Sequence, residues 1–189
     1  MDKLKFVTSN PHKFREAESI LKGYNIEVRW INLKYPELQA DTLEEIVLHS
    51  LKWLENKVPK PFFIEDAGLF IHSLKGFPGP FSSYAYKTIG NEGILRLMEG
   101  IEEREATFKS VIGLVIDDKH YTFRGETDGL IAYSIRGTIW GFDPIFVPKD
   151  MGGLTYAELG ARKNLVSHRR KSLELMASWF TRKVKKAQN

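Results

Sequence analysis

The sequence contains no cysteine and no long run of apolar residues. The first absence excludes disulfides, thiolate metal sites and cysteine nucleophiles, so a bound metal has to be a hard cation held by oxygen ligands, and magnesium is the default. The second argues against a transmembrane helix, which needs about 18 apolar residues. The N-terminus carries no secretory pattern either, because Met1-Asp2-Lys3 leads directly into a short apolar segment. We therefore expect a soluble, cytoplasmic protein.

Several catalytic signatures are also missing. The five histidines show no metal-ligand spacing, no Ser-His-Asp order occurs with a nucleophile elbow, and there is no Gly-rich Walker loop. The sequence does have enough apolar material for a core, since 42% of its 189 residues are hydrophobic and 12% are aromatic. It has no linker, repeat or low-complexity segment, so residues 1–189 are expected to form a single domain.

The charge of the chain is unevenly distributed. The net charge is +4, but the segment from Arg162 to the end contains nine Lys or Arg residues and a single acidic residue, Glu174. A basic end of this kind suits a polyanion such as a nucleic acid. A solvated C-terminal helix with a lysine-rich tail is the plainer explanation, and the charge alone leaves both interpretations open.

Hydrophobic periodicity predicts an α/β fold with a mixed sheet and flanking helices. The first half is predicted to contain a strand at 4–7, a helix that ends at Gly23, a strand at 27–31 and a helix opened by the capping box Thr42–Glu45. The second half is predicted to contain strands at 62–64 and 69–71, a helix at 92–98, a hairpin of 107–116 and 120–126 around 117–119, a strand at 130–131 and a last helix from about 163 to 184.

The first candidate site lies where the strand at 4–7 passes into a helix. It consists of Thr8, Ser9, Asn10, Pro11, His12 and Lys13. Free backbone N–H groups and the positive end of the helix dipole favour a phosphate at such a position, and Lys13 adds a positive charge. The same residues also suit an ordinary helix start with Pro11 at the first helical position.

Acidic candidates lie at the end of a predicted buried strand. Glu65 and Asp66 are adjacent there, and two buried carboxylates are destabilising unless cations or hydrogen-bond donors compensate them. Asp66 is the better catalytic candidate, because Ala67 and Gly68 follow it and let a ligand approach the backbone. The alternative role for Asp66 is to cap the turn, and Glu37 taken alone is an ordinary surface residue.

Two further segments combine charged side chains with residues that suit a flat or anionic ligand. The first has two aromatic rings around a glycine, with a carboxylate beside them: Trp140, Gly141, Phe142 and Asp143. It suits the stacking of a base, although aromatic residues are more often part of the core. The second is predicted to lie in the first two turns of the last helix: Lys163, Ser167, His168 and Arg169. Cations at that position oppose the helix dipole unless an anion is bound.

Taken in chain order, these segments resemble those of the inosine triphosphate pyrophosphatase family, hydrolases that remove deaminated purine nucleotides. The resemblance covers nearly the whole chain and is closest to archaeal members, which also have Ser at the position of Ser9. It rests on six motifs: Thr-Ser-Asn-x-x-Lys at 8–13, Pro-Glu-x-Gln at 36–39, Glu-Asp-Ala-Gly-Leu at 65–69, Gly-Phe-Pro-Gly-Pro at 76–80, Asp-Pro-Ile-Phe at 143–146 and Lys-Asn-x-x-Ser-His-Arg at 163–169.

The resemblance implies an elongated mixed β-sheet with flanking helices, two lobes around a central cleft and a homodimer. It implies that residues 8–13 bind the triphosphate and that Glu37, Glu65 and Asp66 hold Mg²⁺, with Asp66 also the proton acceptor. The other substrate contacts it implies are Ala67, Trp140, Gly141, Phe142, Asp143, Lys163, His168 and Arg169. The expected reaction is the hydrolysis of ITP, XTP and dITP to the monophosphate and pyrophosphate.

Two features depart from the family pattern. The segment Gly137–Asp143 is shorter than usual, and Arg170 stands where the family often has a neutral residue. The nearest rival is a Maf-like pyrophosphatase, which has a related fold and acts on pyrimidine or modified nucleotides. A nucleic-acid-binding module is the rival of another class, but it leaves Glu37, Glu65 and Asp66 without a role. We therefore expect a small nucleotide as the ligand, and neither nucleic acid nor membrane.

Overall fold

The computed structural model describes residues 3–36 and 38–188. Its six strands are β1 (Leu4–Val7), β2 (Val28–Ile31), β3 (Phe62–Ile71), β4 (Glu105–Ile116), β5 (Lys119–Ile131) and β6 (Phe146–Pro148). They form one sheet in the order β2-β1-β3-β4-β5-β6. β1 runs parallel to β2 and β3, whereas β6 is antiparallel to β5. The predicted mixed sheet is thus confirmed.

The helices flank this sheet. They are α1 (Pro11–Lys22), α2 (Leu43–Leu54), α3 (Ser82–Thr88), α4 (Gly90–Leu97), α5 (Tyr156–Leu159) and α6 (His168–Gln188). The capping box predicted for α2 is present, because Thr42 and Glu45 each accept a hydrogen bond from the other's backbone N–H. None of the helices in the described residues is long and apolar enough to cross a membrane.

The chain divides into two compact units. The first consists of Met1–Asp66, Ser110–Gly125 and Arg169–Asn189, and the second of Ala67–Lys109 and Glu126–His168. Three strands, β3, β4 and β5, contribute residues to both. Each unit has an apolar core of its own, so burial of side chains stabilises each of them separately.

The core of the first unit is built from β1, α1, β3, β4 and α6. Its buried members are Leu4, Phe6, Ala17, Ile20, Leu21, Phe63, Ile112, Leu114, Leu173, Met176, Ala177 and Phe180. Gly113 lets α2 pack closely on β4, because a Cβ at this position would lie 2.5 Å from the Cγ1 of Val47. The core of the second unit comprises Leu69, Ile71, Ala85, Ile94, Met98, Ala106, Phe108, Ile131, Phe142, Ile145, Phe146, Tyr156 and Leu159.

The structure corrects the prediction of two separate strands around Glu65 and Asp66. β3 is continuous, so both carboxylates lie inside a strand and not at its end. Gly68 does not interrupt the strand. A Cβ there would lie 2.3 Å from the carbonyl oxygen of Gly79, so this glycine is needed for a close approach of two backbone segments.

Three other predicted boundaries were wrong. The hairpin turn contains only Asp117 and Asp118, both with positive φ, which is the geometry of a two-residue turn, and β5 then runs without a break to Ile131. The helix predicted at 92–98 is α4, which begins at Gly90 and follows the unpredicted α3. The last helix begins at His168 and not at 163.

Candidate functional site

Residues 8–13 join β1 to α1, as the sequence predicted. Asn10 is the N-cap of the helix: its side-chain oxygen accepts from the backbone N–H of His12 at 2.9 Å and of Lys13 at 3.3 Å. The Asn10 N–H in turn donates to Thr8 Oγ1 at 3.1 Å. The backbone N–H groups of His12 and Lys13, which were expected to be available to a phosphate, therefore donate to the helix cap instead. Ser9 and Pro11 are exposed, and Lys13 supplies the charge of the segment.

Lys13 connects this helix start to the two acidic residues of β3. Its ammonium lies 3.0 Å from Glu65 Oε2 and 3.9 Å from Asp66 Oδ1, and it donates to the Glu65 carbonyl at 3.1 Å. The Glu65 side chain is buried, whereas that of Asp66 is 29% exposed. Of the two adjacent carboxylates, Asp66 is thus the one that a ligand can reach.

Glu65 belongs to a buried network of charges. Arg169 Nε donates to its Oε1 at 3.2 Å, and Ser110 donates to the same oxygen at 2.7 Å. Arg169 also forms an ion pair with Glu16 on α1. Burial alone would raise the pKa of Glu65, but the charges of Arg169 and Lys13 and the Ser110 hydrogen bond outweigh it and lower the pKa to about 2. Glu65 is therefore ionised at neutral pH.

The contacts of Glu65 and Asp66 indicate which of these two carboxylates can bind a divalent metal ion. Within residues 3–36 and 38–188 there is no group of three or more His, Asp or Glu side chains arranged to hold a metal ion. Glu37, one of the three expected ligands, lies outside the described residues. Asp66 fits the role, because Mg²⁺ is commonly bound by one or two carboxylates together with substrate phosphates. Glu65 fits it less well, since its oxygens face Arg169, Ser110 and Lys13.

The aromatic segment at 140–143 lies in the second unit. It is part of a loop that is closed by a hydrogen bond from the Ala132 N–H to the Ile145 carbonyl at 2.8 Å. Trp140 is half-buried, but Phe142 is a core residue whose ring meets that of Tyr86 edge to face at 5.6 Å. Only one of the two rings therefore has the exposure needed to stack on a base.

Asp143 and Lys163 form a buried ion pair beside this loop. The Lys163 ammonium lies 2.6 Å from Asp143 Oδ2, and both side chains are at most 5% exposed. The ammonium also lies 5.4 Å from the centre of the Trp140 ring. Lys163 belongs to the 3-10 turn Gly160–Leu165, so its predicted place in the first turns of the last helix is wrong.

The remaining predicted residues are distributed between the two units. His168 is buried in the second unit, where its ring stacks on Phe108 at 4.3 Å. Ala67, the first residue of that unit, is half-buried. In the first unit, Lys13, Glu65, Asp66 and Arg169 come together. In the second, Trp140, Asp143 and Lys163 do so.

Several residues that hold these groups in place were not among the candidates predicted from the sequence. Ser110 and Glu16 bind the Glu65–Arg169 pair, and Thr127 donates to the Val166 carbonyl at 2.8 Å, which fixes the segment just before His168. No local pattern marks Ser110 or Thr127, since each sits within a strand far along the chain from its partner. Glu16 had one signal, because it follows Lys13 by three residues on the same helix face.

Comparison with known proteins gives consistent matches over almost the whole chain. The model of the Ham1 family matches residues 4–179. The chain is 52% identical to a dITP/XTP pyrophosphatase of Pyrococcus horikoshii, with 94% of this chain and 96% of that protein covered. It is 46% identical to a dITP/XTP pyrophosphatase of Thermococcus kodakarensis, with 97% and 100% covered. A solved Ham1 protein of Coxiella burnetii is 27% identical, with 96% and 100% covered and a TM-score of 0.82.

Proposed function

The chain belongs to the Ham1 family, and on this premise we propose that it is a nucleoside triphosphate pyrophosphatase for non-canonical purine nucleotides. It hydrolyses ITP, dITP and XTP to the nucleoside monophosphate and pyrophosphate. The names of its relatives agree with the resemblance found in the sequence, which is thereby confirmed. The structural observation that carries the proposal is the partly exposed Asp66 beside the Lys13 ammonium.

The first unit supplies the side chains for phosphate chemistry. Lys13 and the exposed Ser9 offer a charge and a hydroxyl donor to the triphosphate. Asp66 accepts the proton of the water that attacks the α-phosphorus. Glu65 has a supporting role: it holds Lys13 and Arg169 through ion pairs and so fixes the cation next to Asp66. In this assignment Arg169 positions Glu65 from its buried location.

A divalent cation completes the proposed chemistry. We propose Mg²⁺, with Asp66 and Glu37 as its protein ligands and the substrate phosphates as the others. When bound, such an ion neutralises phosphate charge and polarises the bond to be broken. The absence of cysteine from the chain and the carboxylate chemistry of Asp66 both favour a hard cation over a soft one.

The second unit supplies the side chains for base recognition. Trp140 provides a ring for stacking, and the Lys163–Asp143 pair places a donor next to an acceptor. Hypoxanthine and xanthine present a 6-oxo acceptor, whereas adenine presents a 6-amino donor. The ammonium of Lys163 suits the oxo group. His168, stacked on Phe108, and Ala67 complete the proposed substrate contacts.

The products identify the bond that is broken. Purified protein is incubated with MgCl₂ and a panel of purine and pyrimidine triphosphates, and the phosphate species are separated. We expect pyrophosphate from ITP, dITP and XTP, with label from ¹⁸O-water in the monophosphate. Orthophosphate and a nucleoside diphosphate as first products would exclude this reaction. A preference for pyrimidine triphosphates would indicate the Maf-like alternative.

We also propose that the enzyme acts as a homodimer in the cytoplasm, as the family resemblance implies. Sedimentation equilibrium of the full chain distinguishes a dimer from a monomer, since the monomer has a mass of 21.7 kDa. A concentration-independent mass equal to that of the monomer would contradict the dimer.

A further inference from the structure

Asn91 connects α4 to the aromatic segment of the second unit. Its Nδ2 donates to the carbonyl of Gly141 at 3.1 Å, across 50 residues of sequence. Gly141 has a φ of +69°, and a Cβ at this position would meet nothing within 4 Å. The glycine is therefore needed for its backbone conformation and not for lack of space. Asn91 holds the carbonyl that this conformation presents.

The other polar atom of the same amide makes no hydrogen bond to the described residues. Asn91 Oδ1 is buried and has no hydrogen-bond partner among the described residues. A buried acceptor of this kind destabilises a fold by at least as much as one neutral hydrogen bond stabilises it. Turning the amide over would bring two acceptors together at Gly141, so Nδ2 has to be the donor. Among the described residues, the hydrogen bond to the Gly141 carbonyl is thus the contact that uses the amide of Asn91.

The neighbours of Gly141 are held in a different way. The Phe142 ring is fixed by Tyr86, and the Asp143 carboxylate by Lys163. These contacts act on side chains, whereas Asn91 acts on the backbone between Trp140 and Phe142. A rotation of the Gly141 peptide would change the direction of the Trp140 ring on one side and of the Asp143 carboxylate on the other, because both follow from the same run of backbone dihedrals.

We propose that Asn91 is a positioning residue for base selection. By holding the Gly141 carbonyl, it keeps the Trp140 ring and the Asp143–Lys163 pair in the relative orientation that an oxopurine requires. The inference rests on the proposed function, since it assumes that these residues meet the base. It assigns to Asn91 no contact with the substrate and no part in phosphate chemistry.

The test compares Asn91→Ala, which removes the donor, and Asn91→Asp, which keeps the shape but places an acceptor against the Gly141 carbonyl. Glu92→Gln is the matched control, because Glu92 is the exposed next residue of the same helix. For each protein we would measure kcat and KM for dITP and dATP, the inhibition constant of inorganic triphosphate, and Tm. The ratio of kcat/KM for dITP over dATP is expected to fall about 3- to 10-fold in Asn91→Ala, mainly through KM for dITP.

The other readouts separate positioning from general damage. The inhibition constant of inorganic triphosphate and the behaviour of Glu92→Gln are expected to stay as in the wild type, and the Tm of Asn91→Ala to stay or rise. Unchanged selectivity in both Asn91 variants overturns this inference and leaves the proposed function intact. A lower Tm with equal loss for dITP, dATP and triphosphate overturns it in favour of a structural role. Absence of pyrophosphate release by the wild type overturns the proposed function and this inference together.

Discussion

At the scale of single residues, Glu65 and Asp66 are neighbours with different surroundings. Glu65 is buried and receives hydrogen bonds from Arg169 and Ser110, whereas Asp66 is partly exposed and lies 3.9 Å from the Lys13 ammonium. A buried carboxylate that accepts hydrogen bonds from both an arginine and a serine holds the surrounding side chains in place. A partly exposed one near a cation suits proton transfer and metal binding. Each assignment gives a substitution with a distinct outcome.

Asp66→Asn is expected to lower kcat by about 10² to 10⁴-fold, because an amide neither accepts the proton of the attacking water nor offers an anionic ligand. The fold should persist, since Asn has nearly the same size and the Asp66 side chain is partly exposed. Steady-state kinetics with ITP and a thermal melt give both readings. Glu18→Gln on the exposed face of α1 is the matched control and should turn over normally. Near-normal turnover of Asp66→Asn would refute the catalytic assignment.

Glu65→Gln is expected to reduce stability in a pH-dependent way. The pKa of Glu65 is lowered from 4.5 to about 2, so its ionisation contributes stability that is complete above pH 4.5 and lost as the pH falls towards 2. At neutral pH the variant should be less stable by about 3 to 5 kcal/mol, because the buried Arg169 guanidinium loses one of its carboxylates. Urea unfolding of both proteins at several pH values between 7 and 3 measures the difference.

The difference in unfolding free energy between wild type and Glu65→Gln should narrow steadily below about pH 5. A constant difference over this range would show that Glu65 is not held in its ionised form by Arg169 and Lys13. The exposed Glu18→Gln variant again serves as control, with a small difference at every pH.

At the scale of the element, substitutions of Asn10 at the start of α1 distinguish the structural role of this segment from a role in binding the triphosphate. Asn10→Asp keeps the helix cap, since Asp caps as well as Asn does, so Tm should stay or rise. The added negative charge should repel the triphosphate and raise KM about 10-fold. Asn10→Ser retains a neutral cap and should change KM little. Equal KM values for the Asp and Ser variants would show that the triphosphate does not approach this helix start.

Elements were predictable from the sequence where their signals are local. The order β1-α1-β2-α2 and the capping box of α2 follow from periodicity and from residues within one turn of each other. The last helix was predicted to begin too early because Val166 fits the apolar period of Leu173 and Met176. Val166 packs against the core of the second unit, whereas Leu173 and Met176 belong to the first. Periodicity alone does not show which core a residue joins.

At the scale of the whole molecule, the candidate residues were predictable but their partners were not. The motifs located Lys13, Asp66 and Lys163. Arg169 and Glu65 are 104 residues apart in the sequence, and no local pattern around either residue predicts that they pair. The substrate contacts expected of Arg169 and Phe142 stay predictions, and the motifs alone did not show that Arg169 is buried among carboxylates and Phe142 in the core. Long-range contacts decide whether a polar or aromatic side chain faces a ligand or the protein itself.

Selection among purines tests the proposed function at the scale of the whole molecule, since the proposal assigns phosphate chemistry to residues of one unit and base recognition to residues of the other. ITP is expected to exceed ATP in kcat/KM by up to about 10⁴-fold, because the Lys163 ammonium donates a hydrogen bond to a 6-oxo group, whereas the 6-amino group of adenine places a second donor against it. Competition assays with ITP, GTP and ATP measure these ratios. GTP shares the oxo group with ITP, so its rejection depends on how the 2-amino group is received near Asp143. Lys163→Met is the informative variant: it should reduce the ratio of kcat/KM for ITP over ATP, and its Tm should fall because the buried Asp143 carboxylate loses its cation. Near-equal values for ITP and ATP in the wild type would show that Lys163 does not meet the 6-position.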